Sequence, residues 1–129
     1  MRSRWGAQCL PDPLSCAQAR EAALRVLAEV DASPDLAERV LLVVTELVSN
    51  ARRHAGGVTG FDVSCRDGRL TVAVSDRSTR SPRLRPQAPR MPGGFGWRLV
   101  TTLAPGTFIR FHRGGKTVIA TLPTLPLGA

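Results

Sequence analysis

Residues 40–55 read VLLVVTELVSNARRHA, and this stretch constrains the fold more than any other. Leu41, Val44, Leu47, Val48 and Ala51 gather on one arc of a 3.6-residue helix, an apolar face that asks to be buried. Glu46, Asn50 and His54 follow one another within it at steps of four. Residues four apart stack on one side of a helix, each displaced about 40° from the last. The polar row therefore runs along the border of the buried arc, where a helix meets a cleft. A carboxylate buried without a partner is costly, so Glu46 needs a partner, water or a task. Asn50 offers an uncharged oxygen of the kind that a hard cation such as Mg2+ accepts while keeping most of its waters. The plainer alternative is a polar edge that is merely solvated.

The rest of the chain supplies what this helix can pack against. Ala19, Ala22, Ala23, Val26, Leu27 and Val30 recur at three and four, and Ser15 is placed to cap that helix. Ser33 suits the N-cap of the next one, Pro34 its first turn and Asp35 the positive end of its dipole. That second helix runs to about Ala55 and stops at Gly56-Gly57. Phe61, Val63 and Cys65 then alternate, Asp67-Gly68 turns the chain, and Leu70, Val72 and Val74 alternate again up to Asp76. Residues 77–92 hold four Pro and five Arg with no acidic residue, which predicts a loop. Gly93-Gly94-Phe95-Gly96 leads into a short helix, WRLVTTLA, and Thr107–His112 pairs with Lys116–Leu122 across Gly114-Gly115. Trp5–Leu10 reads as a further edge strand. This order predicts an α+β fold, two layers with helices on one face of a mixed, mostly antiparallel sheet.

A chain of 129 residues suits one domain, with its core over about 15–123. Cys9, Cys16 and Cys65 are odd in number and widely spaced, which argues against a zinc site or a disulfide framework. The N-terminal stretch has no signal-like apolar core and no run approaches the ~18 apolar residues of a membrane span. The reading is a soluble cytoplasmic protein. Its net charge of +8 favours an anionic partner, whether nucleic acid, acidic protein or nucleotide. Nucleic acid is the weakest of these: the arginines cluster in a proline-rich loop, and two Trp, four Phe and no Tyr make a poor stacking platform.

The glycine turn PGGFGWRLV sets three Gly just before a helix, where freed backbone N–H groups form an anion site; an ordinary turn is the plain alternative. No GK[ST] follows it, so it is not a P-loop, and no strand runs into it as a dinucleotide fingerprint requires. Asp76 at a strand end and Gly115-Lys116-Thr117 opening a later strand are each compatible with ordinary turns. In order, however, E-x3-N-x3-H, a strand ending in Asp, G-x-G before a helix and GKT on a strand resemble the GHKL ATPase superfamily. More narrowly, they resemble the anti-sigma-factor serine kinases and their single-domain ATP-binding relatives. TELVSNARRHA is similar to that family's N-box, VAVSDRSTRSP to its first glycine-box region, GGFGWRLVTTLA to the lid and following helix, and GKTVIATL to the last strand.

The resemblance implies a two-layer sandwich of the Bergerat ATP-binding type, with ATP and Mg2+ as cofactors. Asn50 would coordinate the Mg2+ that bridges the phosphates. Asp76 would accept a hydrogen bond from the adenine amine, and Thr117 would help to hold that edge. Gly94 and Gly96 would let main-chain amides approach the triphosphate, and Arg98, just inside the helix, would reach a phosphate or stay a surface arginine. Glu46 would be the base that deprotonates a serine hydroxyl of a partner. His54 closes the motif, with a satisfied helix-end residue as its plain alternative. The implied function is a protein serine kinase that phosphorylates a STAS-type anti-anti-sigma protein and sequesters a sigma factor, with a homodimer allowed. The alternative is an ATP-binding regulator without kinase activity. The sequence departs from the pattern at Trp97, where a smaller aliphatic residue is usual, at Ser78 in place of a glycine, and at Ala104-Pro105-Gly106 in place of an aromatic–Gly turn.

Overall fold

The computed structural model describes residues 14–54, 56–79 and 96–124, with the His54 side chain excepted. Helix α1 (Cys16–Glu29) starts at a capping box: the Ser15 hydroxyl accepts from the Gln18 N–H, and the Gln18 side chain accepts from the Ser15 N–H. Helix α2 (Pro34–His54) starts the same way on one side, with the Ser33 hydroxyl accepting from the Leu36 N–H at 3.1 Å. Asp35 lies in its first turn and pairs with Arg39 one turn on. Two glycines with positive φ follow α2, Gly56 at 74° and Gly57 at 110°, and the Gly57 N–H returns to the Ala51 carbonyl. Only glycine adopts such angles cheaply, so the helix ends there.

Strands β1 (Val58–Arg66) and β2 (Arg69–Asp76) form a hairpin across Asp67-Gly68, both at positive φ as a tight hairpin turn demands. Helix α3 (Gly96–Leu103) precedes a second hairpin, β3 (Phe108–His112) and β4 (Gly115–Pro123). The sheet order is β1-β2-β4-β3. Every pairing among the described strands is antiparallel, in line with the mostly antiparallel sheet that the sequence predicts. The connection between β2 and β4 returns the chain through α3 and β3, so that β4 meets β2 in the opposite sense. The candidate edge strand at Trp5–Leu10 lies outside the described residues.

The core lies between α1–α2 and the inner face of β1, β2 and β4. Phe61, Val63 and Cys65 of β1, Leu70, Val72 and Val74 of β2, and Val118, Ala120 and Leu122 of β4 are buried at alternate positions. They meet Val40, Val43, Val44, Leu47, Val48 and Ala51 from α2 and Ala19, Ala22, Ala23, Val26 and Leu27 from α1. The small α1 face lets the two helices approach, and Cys16 Sγ lies 3.2 Å from Ser49 Oγ across them. Strand β3 is an edge whose residues are mostly exposed, Phe108 and Phe111 included. Helix α3 packs on α2 and closes one end of the layer. Among the described residues no helix is long and apolar enough to cross a membrane.

Candidate functional site

Helix α2 buries Val43, Val44, Leu47 and Val48, which sets its polar row at the margin of the core. Glu46 and Asn50 are half-buried there. They line one open crevice together with Leu47 from the same helix and Gly96, Trp97 and Val100 from α3. The crevice is shallow and partly open to solvent. Val100 is fully buried against the core and Trp97 packs on it, so α3 holds its first turn directly against the polar row.

The contact at that point is close. A Cβ at Gly96 would overlap the Glu46 carboxylate and stand 2.9 Å from its Cδ. Glycine is therefore required at the first residue of α3 for the carboxylate to lie where it does. A helix N-terminus carries unpaired N–H groups and a partial positive charge, and an anion beside it is favoured. Glu46 is thus held at the place where an external anion would also be drawn. An amide oxygen and a carboxylate one turn apart suit a hard cation that keeps waters and takes its remaining ligands from phosphate. A cage built wholly from protein is a different matter: among the described residues no group of three or more His, Cys, Asp and Glu is placed to hold a metal.

Asp76 and Thr117 lie elsewhere. Asp76 ends β2 on the inner face of the sheet, 3% exposed, and does not line the crevice. Its register partner on β4 is Lys116. The Lys116 ammonium, also 3% exposed, donates to both carboxylate oxygens of Asp76 at 3.0 Å. The Ser78 N–H adds a bond to Oδ1 at 2.8 Å. Gly115 makes this possible from the other side, since a Cβ there would overlap the Asp76 main-chain oxygen. The sequence reading sets Thr117 at the edge beside Asp76. Side chains alternate along a strand, so Thr117 faces away from Asp76; its hydroxyl bonds Ser75 Oγ at 2.7 Å and His112 Nε2 at 3.1 Å. The residue that stands over Asp76 is Lys116.

Of the remaining candidates, Arg98 is exposed on α3 and is not among the residues lining the crevice. Gly94 and the rest of the arginine-rich loop from residue 80 lie outside the described residues, as does the His54 side chain. The sequence reading missed two features. One is the Gly96–Glu46 approach, which depends on how α3 docks and leaves no local signal. The other is the Asp76–Lys116 pair, which does leave one: Lys116 keeps step with Val118, Ala120 and Leu122, all inward.

No curated protein matches the chain. The model of the histidine kinase-like ATPase domain matches it over residues 9–122, nearly its whole length. The order of elements, the polar row of α2 beside the start of α3 and the acidic end of β2 all fall within that match, and the chain belongs to the histidine kinase-like ATPase domain family.

Proposed function

We propose that the chain is an ATP-dependent serine kinase of a partner protein, of the kind that also sequesters a sigma factor and is released by phosphorylating a STAS-type anti-anti-sigma protein. The family supplies ATP use. The observation that carries the kinase reading is the joint exposure of Glu46 and Asn50 in one crevice at the N-terminus of α3. Phosphoryl transfer asks for positioned charge and an oriented nucleophile more than for covalent chemistry, and this crevice has parts suited to both.

In this reading the γ-phosphoryl lies at the start of α3, where main-chain N–H groups attract its charge. Asn50 would hold Mg2+, which when bound screens the phosphate charge and orients the phosphates. Glu46 accepts the proton of the incoming serine hydroxyl. The serine oxygen bonds to the γ-phosphorus, the bond from that phosphorus to the β–γ bridging oxygen breaks, and ADP leaves with the electron pair. To do this Glu46 turns out of its contact with Gly96, a rotation open to a long side chain at a half-buried edge. Asp76 faces the base, with Lys116 beside it and Thr117 behind the sheet. Gly94 and Arg98 belong to the phosphate side in this reading, and the whole chain acts as one domain.

The same Glu46–Gly96 contact favours a second reading, an ATP-binding regulator that transfers nothing, because the carboxylate occupies the anion position itself. Incubation of the chain with ATP, Mg2+ and STAS-type proteins separates the two. Phosphoserine on such a protein, lost in Glu46→Gln while ATP still binds, is expected. ATP binding with no transfer to any of them selects the second reading, and no ATP binding refutes both.

A further inference from the structure

We propose that Lys116 silences Asp76 as a reader of the base, so that the site takes purine nucleoside triphosphates by their phosphates with little selection for the amine on the six-membered ring. This rests on the nucleotide reading above and deepens it. An exocyclic amine is recognised by a carboxylate because an N–H meets an unpaired, charged acceptor. Asp76 does not offer one. Oδ1 already accepts from the Ser78 N–H and from Lys116, and Oδ2 accepts from Lys116. A purine amine arriving at Oδ2 meets a carboxylate whose charge is neutralised at 3.0 Å, and brings its own donor up against an ammonium.

Lys116 cannot easily step aside. It is 3% exposed, and its ammonium has no acceptor other than Asp76 among the described residues. The neighbours on its face, Val118 and Ala120, are apolar and buried. Leaving Asp76 would strand an ammonium in that layer, which costs more than one base contact returns. Lys116 is the only lysine in a chain with 18 basic residues, and Gly115 before it has no Cβ to hold β4 away from Asp76. The backbone is thus fitted to the pair.

The test compares ATP with inosine triphosphate, which carries an oxygen in place of the amine, by calorimetry with Mg2+ on the intact chain. The wild type is expected to bind the two within about threefold. Lys116→Thr, which frees the carboxylate, is expected to prefer ATP by at least about tenfold, the usual return on a hydrogen bond to a charged acceptor. A wild type that prefers ATP tenfold or more overturns the proposal and leaves the nucleotide reading standing. So does a folded Lys116→Thr with no preference. Failure of the wild type and the variant to bind either nucleotide overturns both. If Lys116→Thr does not fold, the wild-type ratio decides alone.

Discussion

The Asp76–Lys116 pair makes a sharp stability prediction. Asp76→Asn keeps the shape of the side chain and an oxygen for the Ser78 N–H, which it holds at 2.8 Å. It removes the charge that faces Lys116, whose two bonds at 3.0 Å both end on this carboxylate. Removing one member of a buried pair costs about 3–5 kcal/mol, most of it the cost of the charge left behind. With a urea m-value of about 2 kcal/mol/M for a domain of this size, the midpoint should fall by about 1.5–2.5 M. Lys116→Met should cost a similar amount, because it strands the carboxylate instead. Asp76→Asn/Lys116→Met strands no charge and should recover most of the loss, so the coupling in the cycle should exceed about 2 kcal/mol. Urea unfolding followed by circular dichroism measures all four proteins. Added salt should leave the coupling intact, since a pair this buried is poorly screened. A cost below about 1 kcal/mol for Asp76→Asn, or a cycle additive to within about 0.5 kcal/mol, would refute the reasoning.

Three further outcomes are expected. Gly115→Ala drives a Cβ into the Asp76 main-chain oxygen, and the strain of moving β4 away should cost about 1–3 kcal/mol in the same urea assay; Gly106→Ala, where the added atom meets nothing, should change little. Ser33→Ala removes the hydroxyl that accepts from the Leu36 N–H and should cost about 1 kcal/mol of stability, restored in large part by Ser33→Asp. Glu46→Gln should leave ATP affinity within about threefold and slow phosphoryl transfer to a partner serine by about 10²–10⁴, read as initial rates of phosphoserine formation.

Much of the architecture was legible because local signals and the buried face agreed. Ser15 and Ser33 mark helix starts by chemistry that needs no tertiary partner, and each takes the bond expected of a cap. The alternation of Phe61, Val63, Cys65 and of Leu70, Val72, Val74 fixes both faces of the first hairpin, and Asp67-Gly68 fixes its register. The row of Glu46 and Asn50 at the margin of α2 was legible from helical period alone. The burial of Lys116 was legible from strand period as well. The period of two along β4 turns Lys116 inward and Thr117 outward. The strand order that sets β4 beside β2 was not legible, because it depends on where a long connection lands. Nor was the approach of Gly96 to Glu46, which joins residues distant in the chain through the docking of α3.

Glu46 in the crevice and Asp76 at the end of β2 handle charge in opposite ways, and under the proposed nucleotide reading that contrast bears on how a ligand is selected. A carboxylate that is to take a proton from a partner's hydroxyl must be reachable from outside, and one that is to read a base must be free when the base arrives. Glu46 meets the first condition: it is half-buried, lines an open crevice and lies against the first residue of α3. Asp76 does not meet the second, because its charge is spent on Lys116 before any ligand comes. Under the proposed reading, discrimination then has to come from the phosphate end, for which Asn50, Glu46 and the first turn of α3 sit together. Asp76 keeps a strong effect on the protein all the same, since it holds β2 to β4 through the pair. Variants at Asp76 therefore register in unfolding before they register in nucleotide affinity, and the order of those two effects separates a structural carboxylate from a base-reading one.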